Sequence, residues 1–173
     1  MRLVRAHLAR LGGSIGLLVL AALLLGGCYS FSQTSLPSHL RTVVIYPAEN
    51  KTYQSQMGDK LTTAIRDLLK REAPSLRQVN ENGQSEILLT LKSYTNRPRK
   101  YSAGGQVEEY EVALVVDVLF RDLVKEKDIY KGEGLRGAGV YSLLKNESEE
   151  QHGQKRALEE IQNLIVNNAL SGW

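Results

Sequence analysis

Tyr110-Glu111-Val112-Ala113-Leu114-Val115-Val116-Asp117-Val118-Leu119-Phe120 is the clearest alternation in the chain and decides its architecture. Successive side chains of an extended strand point to opposite faces, so Tyr110, Val112, Leu114, Val116, Val118 and Phe120 share one side. Glu109, Glu111, Asp117 and Arg121 fall on the other. The spacing predicts a long strand with one apolar face and one polar face.

Upstream, Ile87, Leu89 and Leu91 alternate with Thr90 and Lys92 in a strand that begins near Ser85 and continues toward Tyr94; a turn-like segment follows, Asn96 to Gln106. Downstream, the polar loop Val124 to Asp128 leads into Ile129-Tyr130 and a glycine-spaced strand through Val140-Tyr141. Thr42-Val43-Val44-Ile45-Tyr46 is β-branched and aromatic, is stopped by Pro47, and reads as a buried strand before the polar turn Glu49-Asn50-Lys51-Thr52. Between Gln54 and Arg71 the period changes: Met57, Leu61, Ala64, Ile65, Leu68 and Leu69 lie on one face of a helix that Pro74 ends. A polar connection then runs to Gln84. A last helix is signalled by capping-box spacings, Ser148 with Gln151 and Asn146 with Glu149, and by the stripe Ala157, Ile161, Leu164, Ile165 and Ala169. The order β-α-β-β-β-α predicts an α+β two-layer sandwich: a four-stranded, mostly antiparallel mixed sheet with both helices on one face. The other face is left polar, or open to a partner.

The amino terminus is of another kind. Arg2, Arg5 and Arg10 precede an uncharged run from Leu11 to Gly27, which ends Leu25-Gly26-Gly27-Cys28. A basic start, an apolar middle and small residues before a cut are the parts of a secretory signal peptide. With a thiol just after the cut, the stretch resembles the lipobox of bacterial lipoproteins. That resemblance implies a leader, residues 1–27, cleaved before a lipidated Cys28, a short linker over 28–41 and one α+β domain over 42–173. The apolar run could instead stay as a transmembrane anchor, being only slightly shorter than the ~20 residues that cross a bilayer; its small-residue exit argues for cleavage. Thirteen residues, Tyr29 to Arg41, separate Cys28 from the first strand. They reach at most ~45 Å fully extended. Residue 29 is Tyr where an inner-membrane retention signal would resemble Asp, which by the same likeness implies the outer membrane.

Charge excludes one class of partner. The chain has 22 Lys+Arg and 19 Asp+Glu, and the leader holds three arginines and no acid, so the remainder carries equal numbers and is formally neutral. No global field recommends nucleic acid, and an anion would need a local cluster. Cys28 is the only cysteine, so packing alone holds the fold. Two histidines follow the leader, His39 in the linker and His152 near a helix start, both read as surface residues without a nucleophile or metal-ligand spacing around them. No catalytic residue, cofactor or metal is expected, and the chain reads as a non-enzyme. Gly132-Glu133-Gly134-Leu135-Arg136-Gly137 fits a dinucleotide-binding pattern formally, but that motif must follow a first strand and open a helix. Here Ala138-Gly139-Val140-Tyr141 continues extended, so the glycines read as a strand or bulge where a sheet bends or a partner approaches.

Arg97-Pro98-Arg99-Lys100-Tyr101 is the most useful cluster. Three cations between two long strands, near Lys92, Tyr94 and Tyr101, suit phosphate or carboxylate groups, arginine forking onto two oxygens at once. A solvated hairpin is the competing reading, and Glu108-Glu109-Tyr110-Glu111 could neutralise the cluster internally.

Taken with the lipobox, Cys28-Tyr29-Ser30-Phe31, the stretch Ser35-Leu36-Pro37-Ser38-His39-Leu40-Arg41-Thr42-Val43 and the element order resemble the LptE-type lipopolysaccharide-assembly lipoproteins. The resemblance implies a periplasm-facing, lipid-anchored protein of the outer membrane that plugs the β-barrel lipopolysaccharide translocon, helps it assemble and binds lipopolysaccharide. It implies that phosphates of that ligand meet Arg97, Arg99 and Lys100, with Lys92 and Arg136 in support. A second likeness pulls elsewhere: Val43 to Thr52 resembles the strand and Asn-x-Thr turn of periplasmic lipoproteins that activate peptidoglycan synthases or form secretion subunits. An activator reaching across the periplasm needs a long tether, and this linker is short.

Overall fold

Residues 36–143 and 150–170 are described by the computed structural model, and they build a mixed sheet with two helices on one face. Cys28, the leader, most of the linker and the capping residues Asn146 and Ser148 lie outside the described residues. The elements are β1 (Thr42–Ile45), β2 (Glu49–Asn50), α1 (Met57–Glu72), β3 (Arg77–Val79), β4 (Ser85–Tyr101), β5 (Val107–Asp122), β6 (Lys127–Ser142) and α2 (Glu150–Ile165), which passes into a π-helical turn, Val166–Leu170. The sheet order is β3-β1-β4-β5-β6, and β2 pairs with β4 just beyond β1. Contacts among β1, β2, β3 and β4 are parallel, whereas β4, β5 and β6 form an antiparallel meander.

The α+β class and the two-helix layer are as the periodicity predicts. The strand count differs, because β2 and β3 add short strands in stretches that read as a polar turn and a polar connection. Two or three residues of polar sequence carry no period, and only pairing with β4 and β1 makes them strands. The hairpin also differs. Asn96 to Tyr101 belongs to β4, and the turn is confined to residues 102–106, where Ser102 donates to the Gln106 carbonyl and Gly105 supplies a positive φ of 79°. Pro98 is tolerated inside β4 because the parallel neighbours stop at Leu91, leaving β4 an edge strand from there on.

Leu61, Leu91, Val112, Leu114, Val116 and Ile161 are fully buried between sheet and helices. Five of the six apolar α1 positions read from the sequence are buried, and Ala64 is half-buried. On α2, Leu158 joins the buried stripe and Leu164 is only half-buried. Helices of 16 residues are about 24 Å long, while strands of 16 residues run about 50 Å. The helices therefore cover only part of the meander, and residues 97–101 at the far end of β4 stand exposed.

The glycines of β6 let α2 approach. A Cβ on Gly139 would lie 2.0 Å from the Gly153 carbonyl, and one on Gly137 would lie 2.3 Å from that of Ala157. Gly134, at φ 65°, sits in a bulge where its N–H reaches Asp117 Oδ1 at 2.7 Å. The dinucleotide-like pattern is thus a bent strand under a close helix. α2 also covers the edge of β6, with Glu160 accepting the Ala138 N–H and Arg156 donating to the Val140 carbonyl at 2.7 Å.

Candidate functional site

The antiparallel register sets the basic residues along a stripe. Arg97 pairs in register with Glu111, and Lys100 with Glu109. Arg99 Nη1 lies 3.1 Å from Glu109, Lys100 Nζ 2.9 Å from Glu108, Lys92 Nζ 3.1 Å from Asp117, and Arg136 Nη2 2.8 Å from Glu111. The acidic run on β5 that competes for these cations in the sequence thus does pair with them. Arg97 is the exception: Arg136 takes the Glu111 carboxylate from the other side, and Arg97 makes no ion pair among the described residues.

Arg97, Arg99 and Lys100 come together at the far end of the hairpin, Arg136 reaches toward them through Glu111, and Lys92 stands apart beside Asp117. All five are largely exposed. The hydrogen bond to Glu108 holds the Lys100 ammonium above its usual range. Asp117 is held below the ordinary carboxylate range by the Gly134 N–H and then by Lys92. Exposed pairs of this kind contribute ~0–1 kcal/mol each, so an incoming phosphate could exchange for a carboxylate at little cost. The arrangement can bind anions along an edge; it does not enclose them.

Under the first turns of α2 the sheet carries aromatic rings. Tyr110 and Tyr141 stack at 5.5 Å, and Tyr141 Oη lies 3.0 Å from Asn96 Nδ2. Buried Tyr94 meets Tyr53 edge-on at 5.7 Å and donates to Glu150, while Gln154 Nε2 donates to its oxygen at 3.0 Å. Burial, then the Glu150 contact, raises the Tyr94 pKa. Gln154 in turn accepts from Lys60 Nζ at 2.7 Å, so one polar chain ties both helices to β4.

Two features escape the sequence reading. His39 is a partner of the core rather than a surface side chain: its Nε2 lies 2.6 Å from Asp122 Oδ2, and Asp122 is 3% exposed. Leu36 and Leu40 pack against the core beside it. The signal was present in the parity of β5, since Asp122 shares the apolar face of Phe120 and a buried carboxylate requires a partner. Gln154 likewise occupies the apolar stripe of α2. An open groove of about 650 Å³ runs between α1 and α2, lined by Lys60, Ala64, Leu158 and Gln162, away from the basic stripe. Among the described residues, no helix is long and apolar enough to cross a membrane.

These features define a class: a small helix-on-sheet domain with a long, partly uncovered hairpin bearing paired charges. The family described as LptE, lipopolysaccharide-assembly, matches residues 40–169, and the chain belongs to it. Lipopolysaccharide assembly is its functional setting, and that family consists of assembly lipoproteins of the outer membrane rather than enzymes. The hypothetical protein CT253 from Chlamydia trachomatis is similar in structure, with a TM-score of 0.50 at 9% identity over 76% of this chain and 98% of that one. Lipoprotein B from Nitrosomonas europaea gives 0.48 at 18% identity over 80% and 90%, and a PelC dodecamer from Paraburkholderia phytofirmans 0.49 at 11% over 75% and 89%. No curated protein sequence matches the chain.

Proposed function

We propose that this chain is an outer-membrane lipoprotein, anchored through Cys28, that plugs and helps assemble the β-barrel lipopolysaccharide translocon and contacts lipopolysaccharide during export. Membership in the LptE family over residues 40–169 carries the reading. Two properties of the fold support it. The end of the tether is docked, since Leu36 and Leu40 pack on the core and His39 bonds Asp122, so the stretch from Cys28 to Leu36 spans at most about 29 Å. A domain on so short a leash works beside its membrane. The uncovered end of the hairpin also presents Arg97, which makes no ion pair among the described residues, with Arg99 and Lys100 in weak, exchangeable pairs, as an edge for phosphate groups.

Affinity purification of the full chain from detergent-solubilised outer membrane tests the proposal. A large β-barrel should co-purify. Recovery of a peptidoglycan synthase or a secretion complex without a barrel would replace this reading with the regulatory one.

A further inference from the structure

We propose that the turn between β5 and β6, led by Leu123 and Val124, is a second contact with the lipid surface and sets how the domain stands on its anchor. This rests on the Cys28 anchoring proposed above. The turn lies where the tether meets the domain. His39 bonds Asp122 at 2.6 Å, the Arg41 N–H donates to Gln84 Oε1 at 2.7 Å, and the Leu123 N–H donates to the Gln84 carbonyl at 2.9 Å. Tether and turn are therefore laced to the same residues.

The turn exposes what a lipid interface takes up. Leu123 is 42% and Val124 59% exposed, two adjacent apolar side chains at a tip. Water penalises that exposure, and the interfacial region of a bilayer relieves it. The tip is held in shape: Asp122 Oδ1 accepts the N–H groups of Val124 at 2.9 Å and Lys125 at 3.0 Å, and Glu126 takes a positive φ of 50°. Arg41, Lys125 and Lys127 flank it, are exposed and make no ion pair among the described residues; of the exposed acids there, Asp128 is held by Arg121 at 3.1 Å, Glu126 lies in the turn itself, and Glu81 lies three residues before Gln84. The excess of positive charge suits phospholipid headgroups. With the lipidated residue at most about 29 Å away, the tip can reach the surface that holds it. Acyl chains already supply attachment, so the turn contributes orientation.

The test uses the full lipidated chain carrying Trp173→Phe, in vesicles of phosphatidylethanolamine and phosphatidylglycerol with dibrominated acyl chains. Val124→Trp reports on the turn, and Tyr53→Trp, 76% exposed and set against Tyr94 rather than the turn or the basic cluster, controls for tryptophan's own interfacial preference. Fluorescence of the Val124→Trp chain should be quenched about twofold or more relative to the Tyr53→Trp chain. Equal quenching in chains that sediment with the vesicles would overturn the contact and leave the anchor standing. Chains that stay in solution with an unmodified Cys28 by mass would overturn the anchor, and the contact with it.

Discussion

The two faces of the β4–β5–β6 meander share a backbone and differ in everything else. Toward the helices stand Val112, Leu114, Val116, Val118 and Phe120, all buried, opposite glycines of β6 that let α2 settle onto the strand. Away from them stand Glu111, Val115, Asp117 and Leu119, half-buried among charged pairs, with Leu88 38% exposed. The first face specifies one packing, and a change there is felt by the fold. The second is a surface on which charges can exchange partners. Neighbouring residues of β5 should therefore behave as if they belonged to different proteins. Leu114→Ala should cost about 2–5 kcal/mol through the lost burial and the cavity left behind. Val115→Ala, one position on, should cost about 1 kcal/mol or less. Urea denaturation with unchanged slope would measure both, and equal losses would break the comparison.

The glycines sharpen it. Gly139→Ala places a methyl group against the Gly153 carbonyl, and backbone on both sides cannot give way as a flexible side chain would. The helix must lift from the strand, at about 1–3 kcal/mol. Gly104→Ala, in the exposed turn with nothing nearer than 3.8 Å, should be close to neutral. Thermal midpoints of the two variants separate a packing glycine from a turn glycine.

Legibility in the sequence follows the same division. β5 could be read because a strand with one buried face must alternate, and α1 because one buried stripe must recur near 3.6 residues. The hairpin limit could not: Arg97, Pro98 and Lys100 read as a turn, and only their register with Glu111, Tyr110 and Glu109 makes them strand. β2 and β3 were illegible because their extended form depends on neighbours distant in sequence. For the candidate site, the cations were visible, as was the acidic run that could neutralise them. Which cation stays without an ion pair among the described residues was not visible, since it depends on Arg136 arriving from β6. His39 read as linker because its partner lies 83 residues away.

That distant partner yields a smaller effect confined to acid. Burial opposes the Asp122 charge, but the Lys125 N–H, the His39 ring and the Val124 N–H outweigh it, and the carboxyl is held below its usual pKa. A depressed folded pKa stabilises the fold wherever the unfolded carboxyl is ionised. The contribution is whole above the ordinary value of about 3.9 and fades as pH falls below it through the folded value. Asp122→Asn should lower the thermal midpoint at neutral pH and flatten its decline into acid. An unchanged acid slope would assign that decline to other carboxyls.

The smallest stability effect belongs to the open face, where the proposed ligand contact gives it meaning. Arg97→Gln removes a cation that makes no ion pair among the described residues and sets no second carboxylate opposite Glu111, so the fold should shift by no more than about 0.5 kcal/mol. Arg99→Glu leaves a glutamate facing Glu109, a like-charge pair that repels itself before any ligand arrives. If the stripe meets lipopolysaccharide phosphates, Arg97→Gln should weaken binding about two- to fivefold, the worth of one exposed charge contact. Lys92→Glu, beside Asp117 and away from the cluster, should weaken it less. Both effects should shrink in high salt, because the contacts are exposed and screened. Equal binding by the Arg97→Gln and unaltered chains at low salt would remove the stripe from the ligand path while leaving the barrel proposal to its own test.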